Sequence, residues 1–93
     1  DHEIIKRADG SFLIDAQIPF YDFLSHFEKT DLLEEGEQEF DTLAGFILEH
    51  LQKIPSTGDH FQWEGVQFEI VDMDNQRIDK ILVTVPSNWE ESV

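Results

Sequence analysis

The segment FDTLAGFILEHLQKIPSTGD, residues 40–59, decides how this chain is assembled. Asp41 and Thr42 are suited to cap a helix, because a side-chain oxygen there accepts hydrogen bonds from N–H groups left free in the first turn. At about 100° per residue, Leu43, Ala44, Ile47, Leu48, Leu51 and Ile54 share an arc of about 140°, with Glu49, Gln52 and Lys53 opposite. The spacing predicts a helix over 42–53 with one buried face. Pro55 ends it, since a proline disfavours helical backbone in the residue before it, and Pro55–Asp59 is read as a loop. Phe46 and His50 lie one turn apart on a flank of the arc, where they are expected to meet a neighbouring element or a partner. Gly45 falls on the polar side. A glycine there costs roughly 1 kcal/mol relative to alanine and permits a close backbone approach.

Upstream, EIIKR (Glu3–Arg7) and SFLIDA (Ser11–Ala16) are β-prone runs joined through Asp9-Gly10, a strong turn signal, and are read as a hairpin. Pro19 suits the first position of a second helix. Phe20, Phe23, Leu24 and Phe27 follow at i, i+3, i+4 and i+7, which places them on one core-facing stripe. Asp31–Asp41 holds six acidic residues and no basic one, contains Gly36, and reads as a solvated loop between the helices.

Downstream, alternation predicts three strands. His60–Glu64 has Phe61 and Trp63 on one face, and a turn at Glu64-Gly65 leads to Val66, Phe68 and Ile70 on one face of the next. A turn at Asp74–Gln76 precedes Arg77–Val85, where Ile81, Val83 and Val85 alternate but Ile78 has the opposite parity. A β-bulge near Asp79-Lys80 reconciles them. Trp89 either folds back on the domain or lies loose. The order ββ-αα-βββ predicts one α+β domain over residues 1–93, a mainly antiparallel sheet with both helices on one face.

With 21 acidic and six basic residues the net charge is -15, and the basic residues form no stripe, which argues against nucleic acid or an anionic membrane surface. The charge is read first as maintaining solubility; the alternative is that it favours cations or a basic protein face. No apolar run approaches the roughly 20 residues of a membrane span, and there is no cysteine. The chain begins at Asp1 rather than methionine, which fits a segment cut from a longer chain or a processed one.

No catalytic constellation is legible. His2, His26, His50 and His60 lack paired metal-ligand spacing, and Glu49 and His50, being adjacent, point about 100° apart on a helix. Ser11, Ser25, Ser56 and Ser87 are explained by turns or surface, and no phosphate-loop pattern is present. Asp72–Asn75 opens like a calcium loop but lacks its glycine and glutamate, so a hairpin turn is expected; the acidic loop Asp31–Asp41 allows at most weak divalent-cation binding.

Four pieces taken together carry a resemblance: Asp9-Gly10-Ser11 with three apolar residues and Asp15; Asp41-Thr42-Leu43-Ala44-Gly45; Ile54-Pro55-x-x-Gly58-Asp59; and Arg77-Ile78-x-x-Ile81. In this order and spacing they resemble the transporter-associated domain of the CorC/HlyC family, over about Arg7 to Val83. The resemblance implies a C-terminal domain of a bacterial membrane protein, on its cytoplasmic side, following a transmembrane domain and a pair of CBS domains. Such proteins are associated with magnesium and cobalt efflux, and some are named hemolysins. It further implies a regulatory or assembly role without enzymatic activity, acting through the CBS and transmembrane parts or a second protomer. No catalytic or metal-binding residue carries over, and cofactor-binding residues stay unassigned.

The family's fold resembles part of a flavin-binding architecture, so a module binding FAD or another nucleotide is the alternative. A pyrophosphate seeks free helix N-terminal N–H groups and positive charge. This chain offers Asp41 and a strongly negative field, which favours the accessory role.

Overall fold

The last strand in the sequence lies at the middle of the sheet, and that placement ties the two ends of the chain together. The computed structural model describes residues 3–33 and 40–91. Strands β1 (Ile4–Lys6) and β2 (Phe12–Asp15) are followed by helices α1 (Phe20–His26) and α2 (Leu43–Leu51), then by β3 (His60–Trp63), β4 (Val66–Asp74) and β5 (Arg77–Thr84). A single turn of 3-10 helix at Thr30–Leu32 follows α1. The five strands form one sheet in the order β1-β2-β5-β4-β3, every neighbour antiparallel. This is the α+β arrangement that the element order predicts.

Turn chemistry sets the strand registers. Gly10 adopts φ +89°, which an L side chain resists. The Asp9 carboxylate accepts from the Ser11 N–H at 3.0 Å and its hydroxyl at 2.6 Å, closing the first hairpin. Glu64 and Gly65 both have positive φ, the mirror-image two-residue turn whose twist matches paired strands, and they set Trp63 opposite Val66.

The expected bulge is present. Ile70 faces Ile81, Asp72 faces Lys80 and Met73 faces Ile78, so Asp79 has no opposite residue, nor does Val71 on β4. The Asp79 carbonyl accepts the Ala16 N–H at 2.9 Å instead. Ile78 and Ile81 are thereby both buried.

Both helices cover the same face. Phe12 and Ile14 of β2, Val66, Phe68 and Ile70 of β4, and Ile78, Ile81 and Val83 of β5 form its floor; Phe20, Phe23, Leu24, Leu43, Ala44, Phe46 and Ile47 form its roof. The start of α2 is fixed by complete hydrogen bonding. The Leu43 N–H donates to the Ile18 carbonyl and the Ala44 N–H to the Ala16 carbonyl, while the Gly45 N–H donates to Thr42 Oγ1. The Phe46 N–H then makes the first intrahelical bond, to the Thr42 carbonyl, so no N–H group of the first turn is left over. The Phe20 N–H in turn donates to the Asp41 carbonyl, which binds the starts of the two helices to each other.

Four details depart from the sequence expectation. Pro19 caps α1 rather than occupying its first turn. Helix α2 ends where Gln52 turns left-handed (φ +52°), three residues before Pro55. Ile54, outside the helix, therefore leaves the apolar arc and is 85% exposed. Phe46, expected on a flank, is 3% exposed while Leu48 is 43% exposed. The buried arc of α2 is rotated toward Phe46, because its ring reaches Phe61, Trp63 and Phe68 on β3 and β4. Trp89 folds back, 6.0 Å from Phe27.

Gly45 turns out to serve close approach: a Cβ there would lie 2.8 Å from the Phe40 Cβ. Helix propensity alone would reward alanine by roughly 1 kcal/mol. Overpacking costs about 1–3 kcal/mol, so Gly45→Ala is expected to destabilise the domain, seen as a lower urea midpoint with an unchanged slope.

Candidate functional site

Placed on the fold, the three described histidines do not converge. His26 lies in the last turn of α1, edge-on to Phe12 and Phe27. His50 stacks on Phe61 with ring centroids 4.9 Å apart and planes 7° from parallel, and His60 sits exposed at the start of the edge strand β3. His2 and residues 34–39 of the acidic run lie outside the described residues. Among the described residues, no group of three or more His, Cys, Asp or Glu side chains is placed to hold a metal ion.

The hydroxyls and carboxylates that stood out in the sequence are occupied in building turns. Ser11 donates to Asp9, and the Ser56 N–H donates to Asp59 Oδ2 at 2.9 Å. The hydroxyl of Ser11 lowers the Asp9 pKa, with its N–H adding to the effect. Lys53, 3.0 Å away, leads the Ser56 N–H in lowering that of Asp59. Ser25 and Ser87 are exposed. Asp72–Asn75 is the end of β4 and the first turn residue, as a hairpin requires.

The nearest approach to acid–base chemistry is Asp72 with Asp79. A shared hydrogen bond raises the Asp72 pKa, reinforced by burial and by the Asp79 charge, while accepting that bond lowers the Asp79 pKa. Lys80 lies 3.3 Å from Asp79. Asp72 projects from the solvent-facing side of the sheet, away from the helices.

Most of the residues that carry the family resemblance have structural duties; Ile54, 85% exposed beyond the end of α2, is an exception. Asp9, Gly10 and Ser11 make the first turn. The Asp15 carboxylate accepts the Gln17 N–H at 2.9 Å. Asp41 and Thr42 start the two helices, Leu43 and Ala44 are core, and Gly45 admits Phe40. In the loop after α2, the Gly58 N–H donates to the Ile70 carbonyl at 2.8 Å, docking the loop on β4. Ile78 and Ile81 are core, and Arg77 pairs with Asp74 across the turn.

One concave feature was not legible in the sequence. A cavity of about 220 Å³ lies between the first hairpin and the C-terminal segment, walled by Phe12, Phe27, Pro86 and Trp89 and rimmed by Lys6 and Glu91. Lys6 Nζ is 3.0 Å from Glu91 Oε1, and His26 Nε2 is 3.5 Å from Glu91 Oε2. The Lys6 hydrogen bond is the main reason that the Glu91 carboxyl titrates below its usual value. The Lys6–Glu91 contact spans 85 residues, so no local pattern could announce it.

The comparisons with known proteins agree with this fold. The family model described as the transporter associated domain, CorC_HlyC, matches residues 5–87. The UPF0053 protein sll0260 of Synechocystis sp. is 46% identical over 81 residues, 87% of this chain and 18% of that protein. The polyamine export protein of Escherichia coli K12 is 36% identical over 84 residues, 90% of this chain and 18% of that protein. The chain thus spans 18% of the length of each of these relatives.

Among solved structures, the transporter associated domain from a Xylella fastidiosa Temecula1 hemolysin, in complex with Mg++ and Mn++, is similar with a TM-score of 0.75 and 36% identity. That match covers 90% of this chain and 98% of that one. The corresponding domain from Nitrosomonas europaea gives 0.76 and 31%, covering 89% and 95%. Among the described residues, no helix is long and apolar enough to cross a membrane. With the family pattern matched from residue 5 to residue 87, this chain belongs to the transporter associated domain family, CorC_HlyC.

Proposed function

We propose that this domain is a non-catalytic accessory unit of a bacterial membrane transport protein, held on the cytoplasmic side, that modulates cation export or its assembly through contacts with neighbouring domains. The observation that carries the reading is the division of labour in the sequence. Most of the residues that mark the family build turns, caps and core, and the domain occupies 18% of relatives that include polyamine export proteins. A unit whose characteristic residues are engaged in folding acts by presenting a shaped surface.

The net charge of -15 suits cationic cargo, because a strongly negative domain raises the local concentration of cations. Divalent metals, magnesium and cobalt among them, and polyamines share that chemistry. One solved relative is in complex with Mg++ and Mn++, and others bear the name polyamine export protein.

The reading assigns no flavin or nucleotide to the domain. A pyrophosphate needs free N–H groups at a helix start. At α2 these groups already donate to Ile18, Ala16 and Thr42, so a phosphate would have to displace them. Calorimetry with FAD is expected to give no heat beyond dilution; stoichiometric binding at micromolar affinity would make the domain a nucleotide-binding module instead.

The direct test deletes this domain from the intact transport protein. Export of magnesium, cobalt and a polyamine is then measured in turn, along with the protein's abundance and assembly in the membrane. Altered flux, altered dependence on external magnesium or impaired assembly is expected. If flux, regulation and assembly all stay as they were, the domain is no accessory to transport.

A further inference from the structure

We propose that the cavity between the first hairpin and the C-terminal segment is a binding site for a small carboxylate with an apolar body, and that Glu91 is its built-in competitor. The distribution of positive charge first points there. The chain has six basic residues against 21 acidic ones. Lys53, Arg77 and Lys80 each pair with an aspartate no more than six positions away. Lys6 instead reaches across 85 residues to Glu91, and Lys29 lies over the Trp89 ring at 5.5 Å. Two of the few cations therefore gather at the C-terminal segment. Of the two, Lys6 borders the cavity, and there it already holds one anion, the Glu91 carboxylate.

The second observation is His26. Its Nε2 is buried and makes no hydrogen bond, since Glu91 Oε2 stands at 3.5 Å, an ion-pair distance but too long for a bond of good geometry. A buried polar nitrogen left without a partner is costly, and native structures rarely leave one without a reason. His26 lies behind Glu91 rather than in the cavity wall, so a ligand carboxylate taking the place of that of Glu91 would lie within reach of both Lys6 Nζ and His26 Nε2. Glu91 reaches the rim with one oxygen well bonded and the other short of its partner.

The walls fix the rest of the ligand. Phe12 and Phe27 meet edge to face at 5.0 Å, and Trp89 closes the far side at 6.0 Å from Phe27. The volume of about 220 Å³ lies below the roughly 300 Å³ at which pockets for drug-sized ligands begin, which suits a single ring or short alkyl chain. Glu91 is tethered and half-exposed, so its pair with Lys6 is weak in itself and competes chiefly through its high effective concentration.

The test uses the 93-residue chain, since the two solved relatives named above are each little more than this domain. Benzoate is titrated into the unmodified chain, Glu91→Gln, and Glu91→Gln combined with Lys6→Ala, following amide signals of Lys6, Phe12 and Phe27 and the Trp89 indole N–H by NMR. Saturable shifts confined to these groups are expected in E91Q, with a dissociation constant at least about tenfold below that of the unmodified chain. Adding K6A should abolish them, and neutral benzamide should not reproduce them. Absence of saturable shifts in E91Q, equal affinity with and without Glu91, indifference to K6A, or equal binding of benzamide would each overturn the proposal. So would an E91Q spectrum in which Trp89 has left Phe27, because Glu91 would then be holding the wall rather than competing for the site.

Discussion

The contact of Phe46 with Phe20 and Phe68 holds the two layers of this molecule in one arrangement. Phe46 stacks on Phe20 at 4.5 Å and meets Phe68 at 5.6 Å, so one side chain of α2 touches both α1 and the sheet. From there the aromatic contacts run through Phe23 to Phe27, Phe12 and Trp89 on one side, and through Phe61 to His50 on the other. All eight phenylalanines of the chain belong to this connected set. Helix α1 has only seven residues and would not persist alone, so this packing holds it in place.

The charge explains why so much aromatic packing is needed. Acidic repulsion works against the compact state, and the few cations mostly relieve it locally rather than across the molecule. Two depressed carboxylates act in the opposite sense to that repulsion. Asp9 and Asp59 titrate below their ordinary values because they accept hydrogen bonds only in the folded turns. Their contribution is therefore present above the unfolded pKa and is lost as the pH falls through the folded one, while the same acidification relieves repulsion among the other acids. The acid side of the stability profile is a contest between these two effects.

Local periodicity carried most of this architecture in plain view. Alternation placed Phe68, Ile70, Ile81 and Val83 on one face, and the parity break at Ile78 located the bulge, because a period of two leaves no other remedy. A cap at Asp41 or Thr42 was legible because the first turn of a helix needs an acceptor, and Thr42 takes the role. What a helical wheel cannot show is how far it is rotated against the sheet. Phe46 meets a neighbouring element, as its place on the flank allowed, but its full burial was not legible, because it depends on its ring reaching β3 and β4. Ile54 was misplaced because Gln52 ends the helix before the period reaches it. The Lys6–Glu91 contact and the cavity beside it depend on the two ends of the chain meeting beside the sheet, which no window of sequence contains.

The claim on which this account rests is that Phe46 is the structural hub of the domain and not a residue kept for a partner. Urea unfolding of Phe46→Ala, compared with the unmodified chain, tests it most directly. Truncating a fully packed phenylalanine is predicted to cost about 3–5 kcal/mol with little change in slope. A loss within about 0.5 kcal/mol, the range of ordinary surface substitutions, would contradict the account and return Phe46 to the surface.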